Sequence, residues 1–339
     1  MALNAKIRLV VVGLGSIGRR HARLLVERAD VTVETVEPDK QVLGIARREF
    51  GELPNYDSFE AALETRPAIV WLSTPTPLHA AQTIAALEAG AHVFCEKPMS
   101  DSLENARAMQ AAAEKSGKTL NIGFMLHFMP AMIRLRELVR QGALGNVLHV
   151  HARVGTYITL VNSTSRYQAT QRGSLFLDYA HQPDIFFWLT GMAPKSVSVT
   201  GFRAGEIELS SNPNVAIIVC EYDSPLVATL HLNYVQMPQR HDYEIVGDRA
   251  WAALDFETGE IKIGWRESQS VTKEFYEYER DDLYRAQIEA FFAAVEGRRA
   301  PETSGSDGLI STAVCEAALR SYESGESVEL DAKQRDFYE

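Results

Sequence analysis

The chain has 339 residues, 46% hydrophobic and 23% charged, with a formal net charge of -11. Its length accommodates two domains, and its composition is that of a globular protein, neither disordered nor collagen-like. The acidic balance repels phosphate backbones and argues against nucleic acid as a partner, and no apolar run reaches the ~18 residues that a membrane helix needs.

The chain runs from Met1 into a strand with no apolar leader ahead of it. Cys95, Cys220 and Cys315 are far apart, with no paired spacing. Both features lead to the expectation of a reducing cytoplasm and no membrane. "IRLVVVG" (7–13) is a β-branched run closed by glycine, as a central parallel strand should be. A helical pattern follows from Ile17 to Arg28, then the strand "VTVETVE" (31–37) and the helix "KQVLGIARREF" (40–50). "AIVWLST" (68–74) and "HVFCE" (92–96) are further strands, separated by the helix "HAAQTIAALEAG" (79–90). A helix at 102–117 has Ser102 as its cap and Gly117 as its stop, and the strand 119–124 follows. Such alternation predicts a doubly wound parallel sheet of the Rossmann type.

Gly13, Gly15 and Gly18 form a complete GxGxxG between the first strand and its helix, and Glu37 ends the second strand. Gly13 allows the tight turn, Gly15 lets a pyrophosphate approach, and Gly18 lets helix and strand pack closely. The helix N-terminus offers free N–H groups to the phosphates. Glu37 can accept from both ribose hydroxyls and repels a 2′-phosphate, so the expected cofactor is NAD, with NADP disfavoured. Arg19 and Arg20 leave a 2′-phosphate site open as the alternative. "VFCEKPMS" (93–100) runs from a buried strand into Glu96, Lys97 and Pro98. It reads either as a surface turn or as the mouth of a site at the carboxyl end of the sheet.

From Phe124 the rhythm changes. A helix at 130–142, a strand at 146–154 and an irregular stretch at 155–173 lead into a helical run at 174–191. Consecutive strands follow, from "KSVSVTGF" to "AWAALDF", and helices at 283–297 and 305–323 close the chain. The expected fold class is α/β, with a nucleotide-binding domain over 1–123. An α+β domain with a large, mainly antiparallel open sheet, for substrate and oligomerisation, is expected over 124–339. The bare face of that sheet predicts a homodimer or homotetramer. On a helix, Asp178 and His181 share a face, and Asp184 stands beside His181, where a carboxylate fixes the tautomer of a proton acceptor. Pro183 makes a second arrangement available, with a new helix starting there and both residues in its approach. Tyr157, Arg166 and Tyr167 in the irregular stretch can contact a sugar or simply face solvent. His149 and His151 alternate on one strand and read as sheet residues, so no metal is expected.

The chain resembles the glucose–fructose oxidoreductase / inositol dehydrogenase / MocA (Gfo/Idh/MocA) family over nearly its whole length. The carriers are "GLGSIGRRHARLL" (13–25), "STPTPLHA" (73–80), "CEKPMS" (95–100), "NIGFMLHFMPA" (121–131), "GSLFLDYAHQPD" (173–184) and "HDYEIVGDRA" (241–250). The segment 301–330 completes them. The resemblance implies NAD(P)-dependent hydride transfer with a sugar, cyclitol or related polyol. It implies cofactor contacts from Gly13, Gly15, Ser16, Ile17, Gly18, Glu37, Ser73, Thr74, Pro75, His79, Glu96 and Lys97. Lys97, His181 and Asp178 are the implied catalytic group. Together with His127, Tyr157, Arg166 and Tyr167 they are the expected substrate contacts. Two departures stand out: Asp178 precedes His181 by three residues where four is common, and His127 replaces a common arginine. A non-catalytic sensor and an NAD-dependent glycosidase are the alternative functions.

Overall fold

The computed structural model describes residues 6–162, 169, 171–205 and 212–330. The chain forms two compact units, residues 1–125 with 279–309 and residues 126–278 with 310–339.

In the first unit, β1 (Ile7–Val12), β2 (Val31–Val36), β3 (Asn55–Tyr56), β4 (Ile69–Leu72), β5 (His92–Cys95) and β6 (Leu120–Ile122) form one sheet. Its order is β3-β2-β1-β4-β5-β6, and every pairing is parallel. The order reverses between β1 and β4, which makes the carboxyl ends of those strands the natural ligand crevice. Helices α1 (Ser16–Val26), α2 (Lys40–Phe50), α3 (Phe59–Glu64), α4 (His79–Glu88) and α5 (Leu103–Ser116) connect the strands. Their starts are marked in the sequence: Asp39, Ser58 and Ser102 each accept a backbone N–H of the helix they precede. The core under α1 is aromatic. Trp71 stacks on Phe94 with centroids 3.8 Å apart, and Phe291 meets both edge-on. Phe291 comes from α10 (Arg280–Val295), which also adds Tyr284, Ile288 and Phe292 to that core. The first unit is therefore not one continuous stretch of chain: a late helix completes its hydrophobic layer.

The second unit is built on β7 (Val147–Gly155), β8 (Ser196–Phe202), β9 (Val215–Glu221), β10 (Val227–Asn233), β11 (Arg240–Gly247), β12 (Ala250–Asp255), β13 (Glu260–Trp265), β14 (Ser270–Phe275) and β15 (Val328–Glu329). Their order is β14-β13-β12-β11-β7-β10-β9-β8-β15. The β7–β10 pairing is parallel, and the other pairings are antiparallel. This is the expected α+β sheet. Strands β13 and β14 were not foreseen, because β14 is a polar, mostly exposed edge with no hydrophobic run to mark it. Parity decides the faces. Val150, Ala152 and Val154 of β7 and Ala228, Leu230 and Leu232 of β10 are buried. The opposite parity leaves Ile217 49% and Val227 39% exposed. His149 and His151 lie on that outer parity and share Thr229 Oγ1 at 3.0 and 2.9 Å, so they are satisfied sheet residues. The helices of this unit include α6 (Pro130–Arg140), α7 (Tyr157–Asn162), α8 (Ser174–Asp178) and α9 (His181–Thr190), and α11 (Gly305–Ser324) ends in it. No helix among the described residues is long and apolar enough to cross a membrane.

Burial lowers the pKa of several histidines and links this fold to pH. His241 stacks on Phe256 at 3.7 Å, and burial pushes its pKa down to about 3. His92 is also lowered by burial, and its Nδ1 accepts from Thr119 N at 3.1 Å, which requires an unprotonated nitrogen. The unfolded chain binds these protons near pH 6.5, but the folded chain resists them. Stability is therefore complete above about pH 6.5 and falls as the pH drops below it. Thermal melts should show a falling Tm between about pH 7 and about pH 5, and His241→Phe should flatten that slope. A slope unchanged by the substitution would remove His241 as its cause.

Candidate active site

In the first unit the site begins where β1 ends. Gly13 has φ +85°, and a Cβ there would stand 2.8 Å from Ser73 O at the end of β4. A Cβ on Gly18 would stand 2.0 Å from Gly13 O, so only glycine lets α1 settle on the turn. Gly15 is different: a Cβ there meets nothing within 4 Å, so the space in front of it is open. Gly15 is also the N-cap of α1, with no side-chain cap and no acid in the first turn. The uncapped N–H groups around Ser16, Ile17 and Gly18 thus face an open cradle at the positive end of a helix. These residues fit a dinucleotide pyrophosphate.

Glu37 follows β2, and its carboxylate lies beside this turn. Leu14 N donates to Oε2 at 2.8 Å and Asp39 N to Oε1 at 2.9 Å. Glu37 is therefore held at one angle next to the cradle, where ribose hydroxyls can use its remaining lone pairs. Arg19 pairs with Glu49 at 3.1 Å and donates to Leu14 O at 3.1 Å. Arg20 stands 3.6 Å from Asp281 and lies over the Tyr284 ring. The Arg19 guanidinium is thus committed to partners of its own unit, and Arg20 leans toward Asp281 and Tyr284, which weakens the case for a 2′-phosphate.

Two further turns complete this edge. After β4, Ser73 N donates to Val12 O at 2.9 Å and Thr74 Oγ1 to Gln82 Oε1 at 2.6 Å. Pro75 leads into the short helical turn before α4. After β5, Glu96 precedes a cis Lys97–Pro98 bond. His79 opens α4 and joins these turns: Nε2 lies 2.9 Å from Thr74 O and Nδ1 2.9 Å from Pro98 O. It is buried, and that burial lowers its pKa against the upward pull of the two carbonyls and Glu96. Lys97 is half-buried on the resulting turn. The structure thus brings together, in one unit, all the residues expected to touch the cofactor.

In the second unit the expected single helix over 174–191 is two helices. The chain bends at Tyr179, with φ -100° and ψ 30°, so Asp178 ends α8 and His181 begins α9. Pro183 then sits in the first turn of α9, where its missing N–H costs nothing. Asp178 is 8% exposed and accepts from the hydroxyl of Tyr234, whose oxygen also lies 3.2 Å from Ser174 O. Asp184 is directed into the core and meets His127, with Oδ2 2.8 Å from Nε2 and both side chains 0% exposed. His127 also lies 4.4 Å from the Trp188 ring, and the guanidinium of Arg136 covers that ring at 4.2 Å. His127 therefore stands in the interior and braces α9. Tyr157 opens α7, and its N–H donates to Gln236 O at 3.0 Å. Arg166 and Tyr167 lie outside the described residues.

Three residues here were not singled out from sequence. Tyr234 follows the buried parity of β10, and an inward tyrosine needs a partner for its hydroxyl, so the alternation carried that signal. His21 falls on the buried face of α1 with Gly18, Ala22 and Leu25, again a periodic signal. Gly123 has no such mark: its role is visible only as the flat backbone under Glu96, whose Oε2 lies 2.8 Å from where a Cβ would be.

Two family models match the chain. One is described as an oxidoreductase family, NAD-binding Rossmann fold, over residues 7–124, and the other as the C-terminal alpha/beta domain of an oxidoreductase family, over 136–330. The inositol 2-dehydrogenase of Corynebacterium glutamicum is 24% identical over 99% of this chain and 100% of its own. A scyllo-inositol dehydrogenase from Lactobacillus casei, solved with NAD(H) and scyllo-inositol, superposes with a TM-score of 0.81 at 20% identity, over 96% of this chain and 99% of its own. An oxidoreductase from Agrobacterium radiobacter, solved with NAD+, L-tartaric acid and magnesium, gives a TM-score of 0.85 at 17% identity, over 96% and 98%. These structures share the fold.

Glu37 gives a direct test. Glu37→Ala should weaken NAD binding about 10–100-fold and narrow or reverse the preference over NADP. Fluorescence titration of wild type and variant with both cofactors measures this. Tighter NADP binding by the wild type would transfer the role to Arg19 or Arg20.

Proposed function

We propose a function from one premise: the chain belongs to the Gfo/Idh/MocA oxidoreductase family. It is an NAD-dependent oxidoreductase, and we infer that it moves a hydride to or from a secondary alcohol carbon of a sugar, cyclitol or related polyol. The observation that carries this reading is Lys97 on a braced turn at the carboxyl end of β5, on the same sheet edge as the open cradle at Gly15.

Bound NAD supplies the hydride acceptor. The uncapped start of α1 and Gly15 hold the pyrophosphate, and Glu37 takes the ribose hydroxyls. The Lys97 ammonium polarises the substrate oxygen and stabilises the alkoxide that develops as its proton leaves. His181 takes that proton, or gives it in the reverse direction. Asp178, fixed by Tyr234, orients His181 or the substrate. Tyr157, Arg166 and Tyr167 are the proposed sugar contacts, and His127 contributes by holding α9 through Asp184. On this reading residues 1–123, completed by the late helix α10, serve the cofactor, and the rest of 124–339 serves substrate and self-association. A cytoplasmic location accords with the buried, unbridged cysteines Cys95, Cys220 and Cys315. Self-association uses the outer sheet face that carries Ile217 and Val227.

Lys97→Ala and His181→Ala should each lower turnover about 10²–10⁴-fold and leave NAD affinity near wild type. The assay is incubation with NAD and a panel of sugars and cyclitols. Net NADH supports the dehydrogenase. Sugar release without net NADH would mark a glycosidase, and absence of turnover a sensor. Light scattering at micromolar concentration should give the mass of a dimer or tetramer, and a monomer would remove the sheet face as an interface.

A further inference from the structure

We propose that His21 of α1 is a positioning residue that sets Lys97 by holding the Glu96 carboxylate. Its Nε2 lies 2.7 Å from Glu96 Oε1. The other carboxylate oxygen, Oε2, accepts the backbone N–H of Lys97 at 3.2 Å. One carboxylate thus links an imidazole on α1 to the amide that carries the proposed catalytic lysine. The underside of the carboxylate rests on Gly123, where a Cβ would come within 2.8 Å of Oε2. On the other side of the turn, His79 faces the carbonyl of Pro98 at 2.9 Å. With these contacts made, the main chain at 96–98 is held from both flanking helices.

The surroundings of His21 favour this role over simple packing. The ring is 0% exposed and lies among Trp71 at 4.9 Å, Phe94 at 5.3 Å and Tyr284 at 5.2 Å. Its Nδ1 is buried and has no hydrogen-bond partner among the described residues. A phenylalanine would fill such an aromatic box without leaving a polar atom unsatisfied, a condition that costs stability. Among the described residues the ring's hydrogen-bond partner is Glu96, so the imidazole serves the carboxylate. This inference rests on the reading in which Lys97 polarises the substrate oxygen.

The test uses the full chain and two substitutions that disturb the carboxylate from opposite sides, His21→Phe and Gly123→Ala. Amide exchange at Lys97, followed by NMR without cofactor, should quicken about 10-fold or more in each, while exchange along α1 and the Tm stay near wild type. Turnover should fall about 10–100-fold, the scale of a small misplacement of a reacting group. Unchanged exchange at Lys97 in both variants would overturn the proposal. So would a loss of protection spread over α1 with a matching fall in Tm, which marks a packing role. If the wild type oxidises no polyol, the proposed function fails, and the exchange measurement alone decides the role of His21.

Discussion

The close approach of α1 to the β1 turn governs the first unit. A Cβ on Gly18 would lie 2.0 Å from Gly13 O, and one on Gly13 would lie 2.8 Å from Ser73 O, so two absent side chains set this spacing. Three consequences follow from it. The N-terminus of α1 stands directly over the crevice at the switch point of the sheet, where its dipole acts on a ligand. The buried face of α1 reaches the Trp71–Phe94 stack, which places His21 against Glu96. Finally, the β1 and β4 turns touch, so that the His79 contacts bind the β4 and β5 turns into one rigid edge.

Each unit solves the same electrostatic problem in its own way. A carboxylate drawn away from water must not be left unpaired, because a buried charge with no donor is very costly. In the first unit Glu96 has His21 and the Lys97 amide. In the second, Asp178 has the Tyr234 hydroxyl and Asp184 has His127. The donors come from elements distant in sequence, so each acid also ties those elements together. Breaking the His127–Asp184 pair, both side chains of which are 0% exposed, costs more than the pair contributes, since the orphaned partner stays buried. His127 fits this account: its short ring is enclosed with Asp184 against Trp188.

The late helix α10 shows how the aromatic core is completed. Tyr284, Ile288, Phe291 and Phe292 fill the space beside Trp71 and Phe94, and Arg23–Asp281 and Arg285–Glu27 contacts line the seam with α1. Those ion pairs are partly exposed and contribute little each. The apolar layer carries the association, at roughly 25 cal/mol per Å² of apolar surface buried.

Much of this protein is determined locally by its sequence. Period-two and period-3.6 patterns, serine and aspartate caps and the glycine spacing define the parallel sheet and the cradle, because each depends on residues within one or two turns of one another. The acid at the end of β2 and the lysine after β5 were legible for the same reason. Tertiary structure alone decided which partner each buried acid takes. Asp184 stands one helical turn from His181, and its Oδ2 meets His127, 57 residues away, because the carboxylate is directed into the core. The bend at Tyr179 that separates Asp178 from α9, the return of 279–309 to the first unit and the glycine under Glu96 belong to the same class. Each is set by contacts between segments far apart in the chain, and a local pattern carries no information about which distant segment will arrive.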